Sequence, residues 1–83
     1  MQSTEENNLF FTISPSPTQS SFLLFTNNTI EKATVFDLSR RVIEALSLQT
    51  SETNFGENYL SGIYLVRLQS NDGRQEVIKV VKE

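Results

Sequence analysis

The sequence predicts an all-β fold, an Ig-like antiparallel β-sandwich of about seven short strands. In several short segments apolar and polar residues alternate with a period of two, which is typical of strands with one buried face. Turn-forming residues separate these segments at intervals of roughly ten residues. A chain of 83 residues accommodates one core. We therefore expect one sandwich domain over residues 9–83, preceded by a polar, flexible tail over residues 1–8.

Two strands are predicted in the first third of the chain. Residues 9–13 (LFFTI) and 22–26 (FLLFT) are rich in strand-forming residues and alternate. Between them, residues 14–21 (SPSPTQSS) cannot form regular strand, because proline lacks a backbone N–H donor. Residues 27–32 then predict a turn and the entry to the next strand. The residues expected to face the core are Leu9, Phe11, Ile13, Phe22 and Leu24.

A hairpin is predicted in the middle of the chain, with strands over 33–38 (ATVFDL) and 41–46 (RVIEAL) and Ser39-Arg40 as a two-residue loop. Such loops need positive φ, which Arg40 adopts only at some cost. Asp37 is expected to accept backbone N–H groups across the turn.

A helix over residues 37–49 is the alternative for this segment. Leu38, Val42, Ala45 and Leu46 share one face at helical spacing, and Asp37 or Ser39 would cap the helix. We favour the hairpin because the flanking segments follow the strand pattern.

The last third predicts a second hairpin. Residues 63–68 (IYLVRL) and 76–81 (EVIKVV) form its strands, and the segment 70–73 (SNDG) forms its turn. Residues 51–62 are polar and turn-rich, with Phe55 and Leu60 as the expected anchors to the core. The side chains expected to point inward from the first of these strands are Tyr64, Val66 and Leu68, and those expected to point outward are Ile63, Leu65 and Arg67.

The composition excludes several function classes. The chain contains neither histidine nor cysteine, so Ser-His and Cys-His catalysis and thiolate metal sites are impossible within it. Its formal charge of −3 argues against nucleic-acid binding. No apolar run approaches the roughly 18 residues that a membrane-spanning helix requires. We therefore expect a protein that is not an enzyme and has no metal, cofactor or small-molecule substrate.

Candidate interaction residues are the apolar side chains that point away from the predicted core, namely Phe10, Leu23 and Phe25. They form either a binding patch or a face covered by a loop or the chain terminus. Lys79 and Lys82 flank the final strand, where lysines discourage pairing between sheet edges.

Four segments, taken in order, resemble one known family. The matching residues are Pro15, Pro17 and Phe22 in ISPSPTQSSF (13–22), Val35, Phe36, Asp37, Leu38 and Arg41 in ATVFDLSRRVI (33–43), Leu60, Gly62, Ile63, Tyr64, Val66 and Leu68 in YLSGIYLVRL (59–68), and Gly73, Lys79 and Lys82 in NDGRQEVIKVVKE (71–83). The chain thereby resembles the type A C-terminal sorting domain of type IX secretion substrates in Bacteroidetes-type bacteria. Arg40 stands where that family usually has a turn glycine.

The resemblance implies a function in export. Such a domain is fused behind a larger N-terminal cargo, crosses the periplasm, and is recognised by an outer-membrane translocon and its shuttle protein. A cell-surface sortase then usually removes it, so the tail over 1–8 is expected to contain or adjoin the cleavage region. The residues expected to carry the signal are Pro15, Pro17, Phe22, Asp37, Leu38, Arg41, Leu60, Gly62, Tyr64, Val66, Gly73, Lys79 and Lys82.

Two other classes remain open at this point. An Ig-like or fibronectin-like adhesion or carbohydrate-binding module would share the predicted fold. Carbohydrate modules commonly stack sugars on exposed aromatics, whereas this chain has no tryptophan and only Tyr59 and Tyr64 as tyrosines. A structural spacer, or an oligomer formed through sheet edges, is the third possibility.

Overall fold

The computed structural model describes residues 11–15, 18–27 and 29–83. The predictions for residues 1–8, Leu9, Phe10 and Pro17 lie outside these ranges. The strands are β1 (Phe11–Ser14), β2 (Phe22–Thr26), β3 (Ile30–Phe36), β4 (Val42–Ser47), β5 (Glu52–Phe55), β6 (Gly62–Ser70) and β7 (Gln75–Lys82).

The seven strands form two antiparallel sheets. The three-stranded sheet has the order β1-β2-β5, and the four-stranded sheet has the order β4-β3-β6-β7. The described residues contain no helix, and hence no helical segment able to cross a membrane. The predicted all-β sandwich class is confirmed, and the helical alternative for residues 37–49 is wrong because β4 pairs with β3 through this segment.

The core lies between the sheets and is built from alternate residues of their strands. Tyr64, Val66 and Leu68 of β6 are buried, as their period-two spacing predicts. Phe22 of β2 stacks on Phe55 of β5 with ring centroids 5.1 Å apart. Full burial of a large apolar side chain contributes about 1.5–3 kcal/mol, so these residues supply much of the stability of a small domain.

The loop of the first hairpin is one residue longer than predicted. Asp37 N–H donates to the Arg41 carbonyl, and Arg40 N–H donates to the Asp37 carbonyl, both at 3.0 Å. Residues 38–40 therefore form a three-residue loop. Arg40 has the expected positive φ, of 70°. This pattern is the type I turn followed by a left-handed residue that three-residue hairpins use.

The segment predicted to be only turn-rich contains β5, which pairs with β2 through Phe22 and Phe55. Within the segment, the anchor role of Phe55 is confirmed, since its side chain is 4% exposed. The anchor role of Leu60 is wrong, since its side chain is 82% exposed. The backbone of Leu60 is used instead: its carbonyl accepts a 2.6 Å hydrogen bond from the Tyr64 hydroxyl.

One edge of the four-stranded sheet is partly covered. Thr18 pairs with the end of β7 in parallel orientation, donating its N–H to the Val81 carbonyl at 3.1 Å and accepting from Glu83 N–H at 2.7 Å. At the other edge, all but one of the six residues of β4 are exposed. One edge of the sheet is therefore covered by Thr18 at the end of β7, and the other edge presents a strand to solvent.

Candidate recognition surface

Several residues expected to carry a signal lie in the interior. Phe22 and Val66 have no solvent exposure, and Tyr64 is 8% exposed. Their apolar surface is used in packing the two sheets together. These side chains shape the domain and are not available to a partner while it is folded.

Lys82 also lies in the interior, with 5% of its surface exposed. Its ammonium group donates hydrogen bonds to the carbonyl oxygens of Ser20, Gly56 and Glu57, the last at 2.9 Å. A lysine has three N–H donors, and here each has an acceptor, which offsets the cost of burying the charge. The expectation that Lys82 protects a sheet edge in solvent is therefore wrong. Lys82 instead ties β7 to two loops.

Gly56 is a structural residue that sequence reasoning missed. Its φ is +86°, and a Cβ atom placed there would lie 2.8 Å from Cδ2 of Phe22. Only glycine combines this backbone conformation with the close approach of the Phe22 ring. Its carbonyl accepts one of the Lys82 hydrogen bonds. A glycine directly after the apolar Phe55 was the available signal.

The turn role predicted for Asp37 is confirmed. Its Oδ1 accepts the backbone N–H groups of Ser39 and Arg41, both at 2.9 Å, and its Oδ2 accepts Nε of Arg41 at 3.1 Å. The backbone hydrogen bond from Arg41, with the Arg41 guanidinium, lowers the pKa of Asp37 below its usual value. Asp37 and Arg41 thus hold the first hairpin turn.

The second hairpin turn, residues 70–74, contains Gly73 at φ +93°. Ser70 N–H donates to the Arg74 carbonyl at 2.9 Å, and Gly73 N–H donates to the Ser70 carbonyl at 3.2 Å. Asp72 accepts hydrogen bonds from the Ser70 hydroxyl and from Nε of Arg74, which lower the pKa of Asp72 to about 2. The predicted turn at SNDG is confirmed.

Several of the predicted signal residues are exposed or lie at a strand start, and Arg41 of the first turn is among them, with 81% of its side chain exposed. Leu38 is 62% exposed and Leu60 is 82% exposed. Pro15, which follows Ser14 through a cis peptide bond, and Lys79 are also exposed. Gly62 begins β6 and lies opposite Lys82 in the register. Leu38, Leu60, Pro15 and Lys79 lie in different loops and strands of the domain.

The two sheets present different outer faces. On the three-stranded sheet, Leu23 and Phe25 point outward as predicted, paired with Asn54 and Glu52 of β5. Phe25 is 37% exposed, and its neighbours on this face are mainly polar. This face therefore carries two apolar residues within a polar surround.

The outer face of the four-stranded sheet is more apolar. Its register places Phe36 opposite Leu65 and places Arg67 opposite Val77. The Arg67 guanidinium lies 4.9 Å from the centre of the Phe36 ring, in a cation–π contact. Val77 is 57% exposed. A shallow cleft runs between Phe36, Arg40, Leu65, Arg67 and Val77. Sequence reasoning assigned Leu65 and Arg67 to this outward face but did not identify the face as a surface of interest.

A second cleft lies at the end of the sandwich, beside Tyr59. The Tyr59 hydroxyl donates a 2.7 Å hydrogen bond to Glu44, and its ring lies 4.9 Å from that of Tyr64, centre to centre. Partial burial, together with the Glu44 carboxylate, raises the pKa of Tyr59. In the part of the chain that the structure describes, no three acidic side chains are grouped as a metal site.

Comparison with protein families matches residues 12–83 to the family described as the secretion system C-terminal sorting domain. The match covers nearly all of the 83-residue chain. The chain belongs to the type IX secretion C-terminal sorting domain family. A search of curated proteins found no match.

Membership in this sorting-domain family implies a signal that acts as the C-terminal tail of a cargo protein, with export to the cell surface or extracellular space. The family is not known as enzymatic. The geometry adds that the family-like residues of this sorting domain have two kinds of position. Phe22, Tyr64, Val66 and Lys82 build the interior, whereas Leu38, Leu60 and Lys79 are exposed.

Proposed function

We propose that this domain directs a larger N-terminal cargo through the type IX outer-membrane translocon and is then removed by a cell-surface sortase. The shuttle protein of the translocon recognises the folded domain after the precursor has reached the periplasm. The domain spans residues 9–83, and residues 1–8 contain or adjoin the cleavage region. It acts as a sorting signal and has no catalytic activity, cofactor or small-molecule substrate.

The observation that carries this proposal is the family match over residues 12–83, together with the structural roles of the matching residues. Asp37 closes one hairpin, Tyr64 packs in the core, and Lys82 joins β7 to two loops. The residues that resemble the family motif thus specify this particular shape. A sorting signal that is recognised in the folded state requires such a defined surface.

The distribution of the predicted signal residues suggests which of them a partner contacts. Among them, Leu38, Leu60 and Lys79 have exposed side chains and are accessible in the folded domain. Phe22, Tyr64, Val66 and Lys82 act indirectly, because changing them alters the fold. Pro15, Asp37, Arg41, Gly62 and Gly73 set the course of the backbone at loops, turns and the start of β6.

The carbohydrate-binding alternative receives less support from the geometry. Tyr64 is buried, and Tyr59 packs against both Tyr64 and Phe55. Sugar stacking requires an aromatic face open to a ligand, and the tyrosines of this chain are engaged with each other.

The test is to fuse residues 1–83 to the C-terminus of a periplasmic reporter in a cell with a working type IX system. We expect the reporter outside the cell, and inside the periplasm of a matched strain that lacks the translocon. A folded fusion that stays periplasmic in the competent strain would contradict the proposal. Mass spectrometry of the exported reporter then tests removal of the domain, since a reporter that retains residues 9–83 would exclude cleavage.

Deleting residues 79–83 would not separate an effect on export from an effect on folding. The deletion takes away Val80, which is in the core, and Lys82 with its three hydrogen bonds. Loss of export would then follow from loss of the fold. The single substitution Lys79→Gln separates the two effects, because Lys79 is exposed.

A further inference from the structure

The cations of this acidic domain are distributed unevenly. The chain has 7 Lys and Arg against 10 Asp and Glu. Three of the cations have structural partners: Arg41 pairs with Asp37, Arg74 pairs with Asp72, and Lys82 binds three carbonyl groups. The remaining four are Lys32, Arg40, Arg67 and Lys79. Across residues 11–15, 18–27 and 29–83 these four form no ion pair with a carboxylate.

All four of these cations lie on or beside the outer face of the four-stranded sheet. The register places Lys32 opposite Gln69, and it places Leu65 opposite both Phe36 and Lys79. These positions alternate with those of the buried Val66 and Leu68 and therefore point outward. The outward positions that the register pairs between β3 and β6 and between β6 and β7 include no Asp or Glu; Glu31, at the bulge of β3, is an exposed carboxylate next to Lys32. The face is thus positive and apolar on a domain whose net charge is −3.

Two of these cations belong to the cleft in this face. Arg40 and Arg67 line it together with the apolar side chains of Phe36, Leu65 and Val77. Nε of Arg67 is buried and has no hydrogen-bond partner within the described residues. The cleft volume is about 270 Å³. That is slightly below the roughly 300–1,000 Å³ of typical small-molecule sites, and it suits side chains of a larger partner.

Arg40 occupies its place despite a backbone cost. Its φ of 70° is in the left-handed region, which costs a non-glycine residue roughly 1–2 kcal/mol. Strained positions of this kind are concentrated at functional sites. Here the arginine side chain contributes a positive charge to the cleft, which a glycine could not do.

We propose that the outer face of the four-stranded sheet docks onto an acidic protein surface, with a partner carboxylate between Arg40 and Arg67. Apolar side chains of the partner then cover Phe36, Leu65 and Val77, and carboxylates at its rim face Lys32 and Lys79. Arginine guanidinium groups bind carboxylates through two parallel hydrogen bonds, which gives such contacts directional specificity. This proposal rests on the proposed function, since it names the surface through which the export machinery recognises the domain.

The charge pattern favours a protein partner over an anionic membrane. Lipid-binding segments carry clusters of roughly 4–8 Lys and Arg on one segment. In this domain the four unpaired cations are spread over three strands and a turn, around a cleft with apolar walls.

The first experiment measures export of the reporter fusion. Arg40→Gln with Lys79→Gln lowers the net charge by 2 on the four-stranded face. The matched control, Thr12→Glu with Asn54→Glu, lowers it by the same amount on the outer face of the three-stranded sheet, where both residues are exposed. We expect at least about tenfold less export for the first pair and unchanged export for the control, since tenfold corresponds to about 1.4 kcal/mol. Circular dichroism melts confirm that both variants fold.

The outcomes separate the two proposals. Export of the wild-type fusion with equal export of the Arg40→Gln/Lys79→Gln variant would overturn the docking face and leave the sorting function intact. Equal losses in both pairs would also overturn it, because net charge alone would then explain the effect. Failure of the wild-type fusion would overturn the sorting function, and the docking face would then be decided by direct binding.

Direct binding is measured by NMR chemical shifts of the 83-residue domain. The probes are a synthetic acidic peptide with alternating Glu and Leu, the same peptide with Gln in place of Glu, and phosphatidylcholine vesicles with phosphatidylglycerol. We expect the acidic peptide alone to shift the amides of Phe36, Arg40, Arg67 and Val77. Equal shifts with the Gln peptide, or shifts elsewhere, would contradict the proposal. Binding to the anionic vesicles without binding to the acidic peptide would assign the face to a membrane instead.

Discussion

The two hairpins of the four-stranded sheet close with the same turn but place different residues at its critical position. In each, the first residue donates its N–H to the carbonyl four residues later and accepts from the N–H three residues later. The left-handed residue is Arg40 in the β3–β4 hairpin and Gly73 in the β6–β7 hairpin. Glycine adopts this conformation without a steric penalty, whereas arginine does not. The backbone requirement is therefore equal in the two turns, and only the first turn uses the position to present a side chain.

The outer strands of these hairpins differ as well. In the β6–β7 hairpin, Val80 and Lys82 of β7 are buried, and Thr18 pairs with the end of the strand. In the β3–β4 hairpin, β4 is almost entirely exposed and retains a free edge over most of its length. One hairpin is thus anchored in the interior, and the other ends at the surface. This difference predicts where substitutions affect stability.

Lys82→Met should have the largest effect on stability. The change leaves the buried carbonyl group of Gly56 and the partly buried carbonyl groups of Ser20 and Glu57 without their donor. Unsatisfied buried polar groups cost about 1–3 kcal/mol, so we expect the free energy of unfolding to fall by about that amount. Urea denaturation measures it.

The matched control is Lys79→Met, which replaces an exposed lysine three residues earlier on the same strand. Surface substitutions usually change stability by less than about 0.5 kcal/mol. If both variants lost the same stability, β7 would not be anchored through the Lys82 ammonium group.

Arg40 and Gly73 are the residues with left-handed backbone conformation in the two turns. Exchanging them should change the free energy of unfolding by an intermediate amount, with opposite signs at the two positions. Gly73→Arg is expected to lower the free energy of unfolding by about 1 kcal/mol, and Arg40→Gly to raise it by about 1 kcal/mol. A Cβ atom at Gly73 would meet no atom within 4 Å, so the first change isolates the backbone cost. Thermal melts of the two single variants and the double variant measure these changes in stability.

The double variant should be close to wild type, because the turns lie in different hairpins and share no partner. A destabilised Arg40→Gly variant would contradict the strain assigned to this turn. Since Arg40→Gly also removes a cation from the docking cleft, export that falls while stability rises would separate the two roles of Arg40.

The smallest effect concerns acid stability at the second turn. The pKa of Asp72 is about 2 in the folded domain, below its ordinary value of 3.8, because the Ser70 hydroxyl and Arg74 bind its carboxylate. A carboxyl group whose pKa is lower in the folded state than in the unfolded state stabilises the folded protein at pH values above its unfolded-state pKa. We therefore expect this contribution at pH above about 4 and its loss as the pH falls from about 4 towards 2.

The Asp72→Asn variant tests this expectation through thermal melts between pH 2 and pH 7. Its melting temperature should lie below that of wild type at neutral pH, and the two should converge in acid. An offset that stays constant across the whole range would show that the carboxylate charge contributes nothing to this turn.

Local patterns predicted the parts of the fold that depend on neighbouring residues. The alternation of Tyr64, Val66 and Leu68 identified the inward face of β6, and the position of Asp37 before a turn identified its hydrogen bonds. Both features rest on residues within a few positions of each other in the chain. Such features are encoded locally and can be recognised without knowing the topology.

The missed features depend on residues that are distant in sequence. The strand β5 has only Phe55 buried, so alternation gives little signal, and its pairing with β2 joins segments about thirty residues apart. The burial of Lys82 requires carbonyl groups from two loops. The outer face of the four-stranded sheet likewise becomes visible only when the register sets β3, β6 and β7 side by side. Its recognition role stays a prediction.

The three hydrogen bonds of Lys82 have a consequence for the order in which the fold can be completed. Their acceptors lie 62, 26 and 25 residues before it in the chain. A chain interrupted anywhere before residue 82 lacks this amine, and the loops around Ser20 and Gly56 then lose the group that joins them to β7. The fold can therefore be completed only after synthesis has passed residue 82. A precursor that stops within β7 would therefore not present the same folded surface.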